Sequence, residues 1–220
     1  MSRSSYLFTG IFGTFALSCL ALVVVPQVQI GNLQPQVDPE SGEAYPIANA
    51  RKGRDVYAAE GCFYCHSQQI RDEQNGLDIE RGWGPRRTVA RDYIFTNPPF
   101  LGTMRLGPDL TNVGTADWRN EAKEDPRKPA RRNAAWHYLH LYQPTSVVTE
   151  SNMPPYRYLF DLRKIGGERS LDALNVPTKA GYEVVPKAEA KELVSYLLSL
   201  DRTHPLNEVK APAGAPAPAK

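Results

Sequence analysis

The chain has 220 residues, of which 41% are hydrophobic, and its formal net charge is only +2. This length allows one domain of ordinary size with appendages, and the balanced charge gives no indication of nucleic-acid binding. Because there are three cysteines, a framework of several disulfides is excluded as the source of stability.

The amino terminus predicts a membrane anchor over residues 1–26. A run without charged residues extends from Tyr6 to Val25, and as a helix it is long enough to cross a hydrocarbon core of about 30 Å. Arg3 precedes the run and acidic residues follow it, which by the positive-inside tendency places the rest of the chain outside the cytoplasm. The alternatives are a cleaved signal peptide and a lipoprotein acylated at Cys19, although no small-residue cleavage site precedes Pro26.

Residues 27–47 are polar, rich in Pro and Gln, and without periodicity, which predicts an extended linker. Apolar residues at helical spacing then predict a helix over Ala48–Cys65, where a domain assigned to residues 48–204 begins. Gly53 lowers helix propensity, so we expect it to pack closely against another helix, the alternative being a tolerated surface glycine.

This helix leads into Cys62-Phe63-Tyr64-Cys65-His66, the most informative motif of the chain. C-x-x-C-H is the attachment motif of c-type haem. Positions i, i+3 and i+4 share a helix face, so Cys62 and Cys65 can bond one porphyrin edge while His66 binds the iron. The alternatives are two buried cysteines beside a surface histidine, and a zinc site, for which further ligands would be needed.

Residues 67–105 have many glycines and prolines and no period, which predicts a long insertion that covers a haem edge or contacts a partner. Its basic side chains could pair with haem propionates or form a solvated face: Arg86, Arg87, Arg91 and Arg105.

Two further helices are predicted near Pro129–Tyr142 and Pro186–Leu200. The first should bury Ala135, Trp136, Leu139 and Tyr142. Residues 205–220 form an Ala/Pro-rich tail of low complexity.

A haem that only transfers electrons needs a second axial ligand besides His66. Met153 is favoured because Asn152 and two prolines hold it on a stiff turn; the alternatives are Met104, His137, His140 and His204. Imidazole with thioether ligation raises the reduction potential. The carbonyl of Pro108 is the candidate acceptor for the Nδ1–H of His66, unless Pro108 is only a turn residue. His137 and His140 are expected to be structural hydrogen-bonding residues beside the haem or at an interface.

The order of these features resembles class I cytochromes c, in which the first and last helices cross at a glycine and a tyrosine. Here these are Gly53 and Tyr196, with Gly107-Pro108-Asp109-Leu110 and Met153-Pro154 between them. Three phrases are similar to the monohaem membrane-anchored subunit of cbb3-type cytochrome c oxidases: GCFYCHSQQIR (61–71), RLGPDLTNVG (105–114) and WHYLHLYQPTSVVTESNMPPY (136–156). The charge-rich stretch 117–132 and the tail depart from that pattern.

The resemblance implies a mostly α protein: one transmembrane helix followed by a class I cytochrome c domain with long loop insertions. It implies one covalent haem c, attached to Cys62 and Cys65, with His66 and Met153 as iron ligands and Pro108 behind His66. The expected location is the bacterial inner membrane, with the haem domain on the periplasmic side. Electrons would come from a dihaem cytochrome c subunit or a soluble cytochrome and pass to a membrane-embedded haem-copper subunit that reduces dioxygen.

Three other functions remain open at this point. A nitric oxide reductase also contains a single-span monohaem cytochrome, although its small subunit is usually shorter. A membrane-tethered cytochrome could shuttle between complexes without belonging to one. A ligand-binding sensor or a peroxidase-like enzyme would need an open iron position, against which a Met153 ligand argues.

Overall fold

The computed structural model describes residues 2–37, 42, 44, 50–115, 132–206, 208 and 209. The expected charge-rich stretch 117–132, apart from Arg132, and most of the tail lie outside the described residues, as does much of the expected linker. In the described part, helical residues make up only 39% of the structure. The expectation of a mostly α protein is therefore met only in part.

A single apolar helix, Arg3–Ile30, forms the amino terminus and is long enough to cross a membrane. It consists of α1 (Arg3–Cys19), a π-helical turn (Leu20–Val24) and α2 (Val25–Ile30). Pro26 has no N–H and crowds the carbonyl four residues earlier, and the wider π turn directly before it accommodates this within the helix. The helix therefore continues beyond residue 26, where the sequence predicted that the linker would begin.

Two helices cross at the centre of the domain: α3 (Arg51–Ala59) and α5 (Ala188–Leu198). Gly53 lies at the crossing, where an added Cβ would stand 1.9 Å from the backbone oxygen of Glu192 and 2.7 Å from Cβ of Tyr196. The close packing predicted for Gly53 is confirmed. Tyr57 and Tyr196 pack beside it with ring centroids 5.5 Å apart, and both side chains are buried.

The third helix of the domain, α4 (Ala134–Tyr142), packs against α5. The side chain of Asn133 caps it by accepting a hydrogen bond from the N–H of Trp136 at 3.0 Å. Its buried residues are Trp136, His137 and Leu141. Ala135 is exposed, so the predicted apolar stripe was wrong at that position. The helix was predicted to begin near Pro129, which lies outside the described residues, and it begins at Ala134.

The sequence analysis missed a two-stranded antiparallel sheet of β1 (Phe160–Lys164) and β2 (Tyr182–Pro186). Phe160 opposes Pro186, and β2 buries Val184 and Val185 against the core. Pro186 was predicted as the first residue of the last helix, but it ends β2 and α5 begins at Ala188. A proline suits either place, because the end of a strand needs no further N–H donor.

Candidate haem site

The C-x-x-C-H motif occupies a tight turn rather than the continuous helix predicted through Cys65. The helix α3 ends at Ala59, and Gly61 reverses the chain in the left-handed region with φ of 69°. A 3₁₀ turn, Cys62–Tyr64, follows, and the N–H groups of Cys65 and His66 both donate to the carbonyl of Cys62, at 3.2 and 3.0 Å. One turn therefore holds both thiols and the imidazole, as the motif requires.

The ring of His66 is oriented from the loop that follows the insertion. Its Nδ1 lies 2.8 Å from the carbonyl oxygen of Pro108, which confirms the predicted hydrogen bond. A carbonyl can only accept, so Nδ1 carries the proton and the lone pair is on Nε2, the nitrogen that a metal would bind. Below the ring lies Gly107, where an added Cβ would stand 2.2 Å from Cε1 of His66.

A buried carboxylate fixes the shape of that loop. Asp109 accepts hydrogen bonds from the hydroxyl of Ser67 at 2.6 Å, the N–H of Gln69 at 2.7 Å and the N–H of Thr111 at 2.8 Å. These bonds join the segment after the motif to the segment after Pro108. Two stretches that are distant in sequence are thereby held in the register that the His66–Pro108 bond needs.

His66 opens onto an apolar crevice of about 490 Å³, a volume that includes space open to solvent. Helices α3, α4 and α5 and the loops between them form its walls. The crevice brings Cys62 and His66 of the motif together with Met153, which lies 87 residues after His66. The other lining residues are Tyr57, Leu110, Val113, Trp136, His137, His140, Leu141, Leu193 and Leu197.

Of the candidates for a second axial ligand, three lie in this crevice: Met153, His137 and His140. Met153 is partly buried against the core. Met104 is 51% exposed and does not line the crevice, and His204 lies instead beside Asp92, 3.8 Å from its carboxylate. The position of Met153 is thus compatible with the predicted ligand role.

Residues 2–194 match the family model described as cytochrome c oxidase, mono-heme subunit/FixO. The chain belongs to this family. The description assigns it one haem and makes it a subunit of a cytochrome c oxidase with partner subunits, and the apolar helix Arg3–Ile30 is consistent with a membrane-anchored subunit. No curated protein matches the chain significantly.

The crevice suits the single haem that the description of the FixO family names. A porphyrin is a large apolar disc, and most of the lining side chains are aliphatic or aromatic, so burial of the disc would be favourable. A cysteine and an oriented imidazole lie in the same lining. Burial raises the pKa of the Cys62 thiol to about 12, so without haem this group stays a neutral thiol at neutral pH.

Two histidines of α4, His137 and His140, line the crevice beside these residues. Burial is the main cause that lowers the pKa of His137 to about 3 and that of His140 to about 4, so without haem both are neutral at pH 7. The ring of His140 stacks on Trp136 at 4.8 Å. The sequence analysis expected both histidines to form hydrogen bonds. Their i, i+3 spacing was the sequence signal that they lie on one face of α4.

The arginines that the sequence offered as propionate partners have other contacts in this FixO-family chain. Arg86 is buried and forms a two-pronged ion pair with Asp92, with distances of 2.9 and 2.8 Å. The other three pair with carboxylates of the insertion or the carboxyl-terminal segment, and none of the four lines the crevice. The expected solvated face was also wrong for Arg86, which is 3% exposed.

Proposed function

We propose that the chain is the electron-relay subunit of a cbb3-type oxidase and carries one covalent haem c. Cys62 and Cys65 would hold the porphyrin through thioether bonds, and His66 and Met153 would be the two iron ligands. The observation that carries the proposal is the crevice, which combines an apolar lining with Cys62, Met153 and a His66 whose Nδ1 is engaged by Pro108.

Each residue has a defined role in this proposal, while the haem supplies the one-electron chemistry. Pro108 holds the imidazole of His66 in one tautomer and one orientation. A thioether from Met153 favours the reduced iron and raises the reduction potential. With both axial positions filled by side chains, the site would transfer electrons without binding dioxygen, so the chain itself would be non-catalytic.

The proposed arrangement in the membrane follows the order of the sequence. The anchor and a linker to residue 47 would hold a haem domain over residues 48–204 on the periplasmic side of the bacterial inner membrane, with the tail over residues 205–220. A dihaem cytochrome c subunit or a soluble cytochrome would donate electrons. The acceptor would be the membrane-embedded haem-copper subunit, where dioxygen is reduced to water.

The test compares cysteine variants of the intact complex. We expect Cys62→Ala with Cys65→Ala to abolish covalent haem in this chain and oxygen uptake from the donor cytochrome. Reduction of the haem-copper subunit by a small artificial reductant should persist. Cys19→Ala, in the apolar amino-terminal helix, is the matched control and should change neither the covalent haem nor the oxygen uptake.

Four results would overturn the proposal. The first is a fully matured wild-type chain without covalent haem. The second is undiminished oxygen uptake in the double variant. The third is a purified complex that consumes nitric oxide instead of dioxygen, which would assign the chain to a reductase. A chain that never copurifies with a many-span subunit would be a tethered shuttle.

A further inference from the structure

His137 carries a buried polar atom that has no partner in the part of the chain that the structure describes. The residue is 4% exposed, and its Nε2 is completely buried and has no hydrogen-bond partner among the residues that the structure describes. Leaving a buried polar atom unpaired destabilises the folded state, and most such atoms in folded proteins have partners. The position therefore indicates a partner beyond the described residues.

The surroundings of His137 limit what that partner can be. Its neighbours in the crevice lining are mainly aliphatic and aromatic side chains. A buried water generally needs about 2–4 polar partners of its own, which this lining does not readily offer. A haem, by contrast, brings two carboxylates on its propionate chains, and a buried carboxylate needs donors.

Two of the arginines that the sequence offered as propionate donors are engaged elsewhere. Arg86 is paired with Asp92 and also donates to the carbonyl of His204 at 3.0 Å, and Arg105 is paired with Asp78 at 2.6 Å. Neither of these arginines reaches the crevice lining. Three side chains of α4 in that lining carry polar ring nitrogens: Trp136, His137 and His140. Of these nitrogens, Nε2 of His137 and Nδ1 of His140 are buried without a partner among the described residues.

We propose that Nε2–H of His137 donates a hydrogen bond to a propionate carboxylate of the haem. The inference rests on the proposed function, since it requires the haem in this crevice. In this arrangement, Met153 would bind the iron and His137 would bind the carboxylate. The backbone of Arg132 accepts from the ring, and Nε2 is the nitrogen without a partner among the described residues. With a carboxylate at Nε2, both nitrogens would face acceptors, and the ring would be a protonated imidazolium paired with the propionate.

The proposal predicts how the haem responds to loss of the donor. A hydrogen bond withdraws negative charge from the carboxylate, so its removal leaves more negative charge near the iron and stabilises the oxidised form. In the intact complex, we expect His137→Phe to shift the resonance Raman propionate bending mode and to make the midpoint potential more negative. His137→Gln, which retains an N–H donor, should restore both in part.

Tyr138→Phe is the matched control, because it removes one hydroxyl from the next position of α4, outside the crevice lining, and should change neither readout. A second measurement needs no variant: transfer of the wild-type complex to heavy water should shift the propionate mode if an exchangeable proton lies on it. This measurement holds even if His137→Phe does not mature.

Two outcomes would overturn the inference alone. In one, covalent haem and electron relay are normal, but the propionate mode is insensitive both to heavy water and to His137→Phe. In the other, His137→Phe shifts the propionate mode and the midpoint potential no more than Tyr138→Phe does. Absence of covalent haem would instead overturn the proposed function itself.

Discussion

His66 depends on a loop that lies 42 residues further along the chain, where Pro108 accepts its Nδ1 proton. The loop can lie this close because residue 107 is glycine, and any Cβ there would collide with the imidazole. Asp109 then holds the loop through three hydrogen bonds. Gly107 thus lets the loop approach His66, Pro108 orients the imidazole, and Asp109 holds the loop in place.

Met153 can be tested as an iron ligand by a single substitution. We expect Met153→Ala to retain covalent haem, to lose the thioether-to-iron absorption band of the oxidised protein, and to lower the reduction potential. The open iron position should also let the reduced protein bind carbon monoxide. Absorption spectra and a redox titration of the purified complex measure these effects.

Met104→Ala is the matched control, because Met104 is half-exposed and lies outside the crevice lining. It should leave the band, the potential and the carbon monoxide response unchanged. If Met153→Ala keeps the band while another substitution removes it, the ligand assignment is wrong.

Local chemistry explains which individual residues were predictable from the sequence. The C-x-x-C-H spacing and the bond to Pro108 follow from what an attached haem requires, and the structure has that turn and that bond. The partners of Arg86 were not predictable, because its ion pair with Asp92 depends on how the insertion folds back. The contact below His66 was likewise missed, since a glycine gives no sign of which ring approaches it.

At the scale of elements, the crossing of α3 and α5 supports the site. Gly53 lets the two backbones approach, and Tyr196 exchanges hydrogen bonds with Gln68 at 3.0 and 3.1 Å, just beyond the haem motif. The crossing thereby connects the last helix to the segment that follows His66. Periodicity predicted both helices, because their apolar faces repeat at helical spacing.

Gly53→Ala should destabilise the domain although alanine is the better helix former by about 1 kcal/mol. The new Cβ would meet the backbone oxygen of Glu192, which cannot rotate away as a flexible side chain can. Overpacking of this kind typically costs about 1–3 kcal/mol, so we expect a net loss of that order. Denaturant unfolding of the solubilised protein, followed by near-ultraviolet circular dichroism, measures it.

Asp55→Ala provides the comparison on the same helix, because Asp55 is exposed and its substitution adds no atom at the crossing. It should shift the unfolding midpoint little. Equal stability of Gly53→Ala and the wild type would show that the two helices can separate slightly at no cost, contrary to the packing described.

The strands β1 and β2 show why some elements escaped the sequence analysis. β1 is exposed at every position except Phe160, so it lacks the alternation that marks a half-buried strand. Its partner is joined to it by a long connection rather than a two-residue turn, which removes the usual hairpin signal. Polar contacts support the pair instead, because the carboxylate of Glu183 accepts hydrogen bonds from Arg163 and Ser170.

For the molecule as a whole, the insertion 67–105 is a braced part of the domain. Asp78 is buried and pairs with Arg71 and Arg105. Burial alone would raise the pKa of Asp78, but hydrogen bonds from the two guanidinium groups outweigh it and lower the pKa below its usual value. The insertion supplies no residue to the crevice lining, and a contact between its outer surface and a partner stays a prediction.

The Arg86–Asp92 pair connects this insertion to the carboxyl-terminal segment, where Arg86 also donates to the carbonyl of His204. Both side chains are almost fully buried, so removing one charge would leave the other uncompensated. We expect Asp92→Asn to lower the free energy of unfolding by about 3–5 kcal/mol. Asp72→Asn breaks the exposed pair with Arg87 and should cost less than about 1 kcal/mol.

Thermal unfolding of the solubilised protein compares the two variants. Similar losses for both would mean that the buried pair does not hold the insertion against the domain, and that the insertion can detach while the haem crevice stays folded.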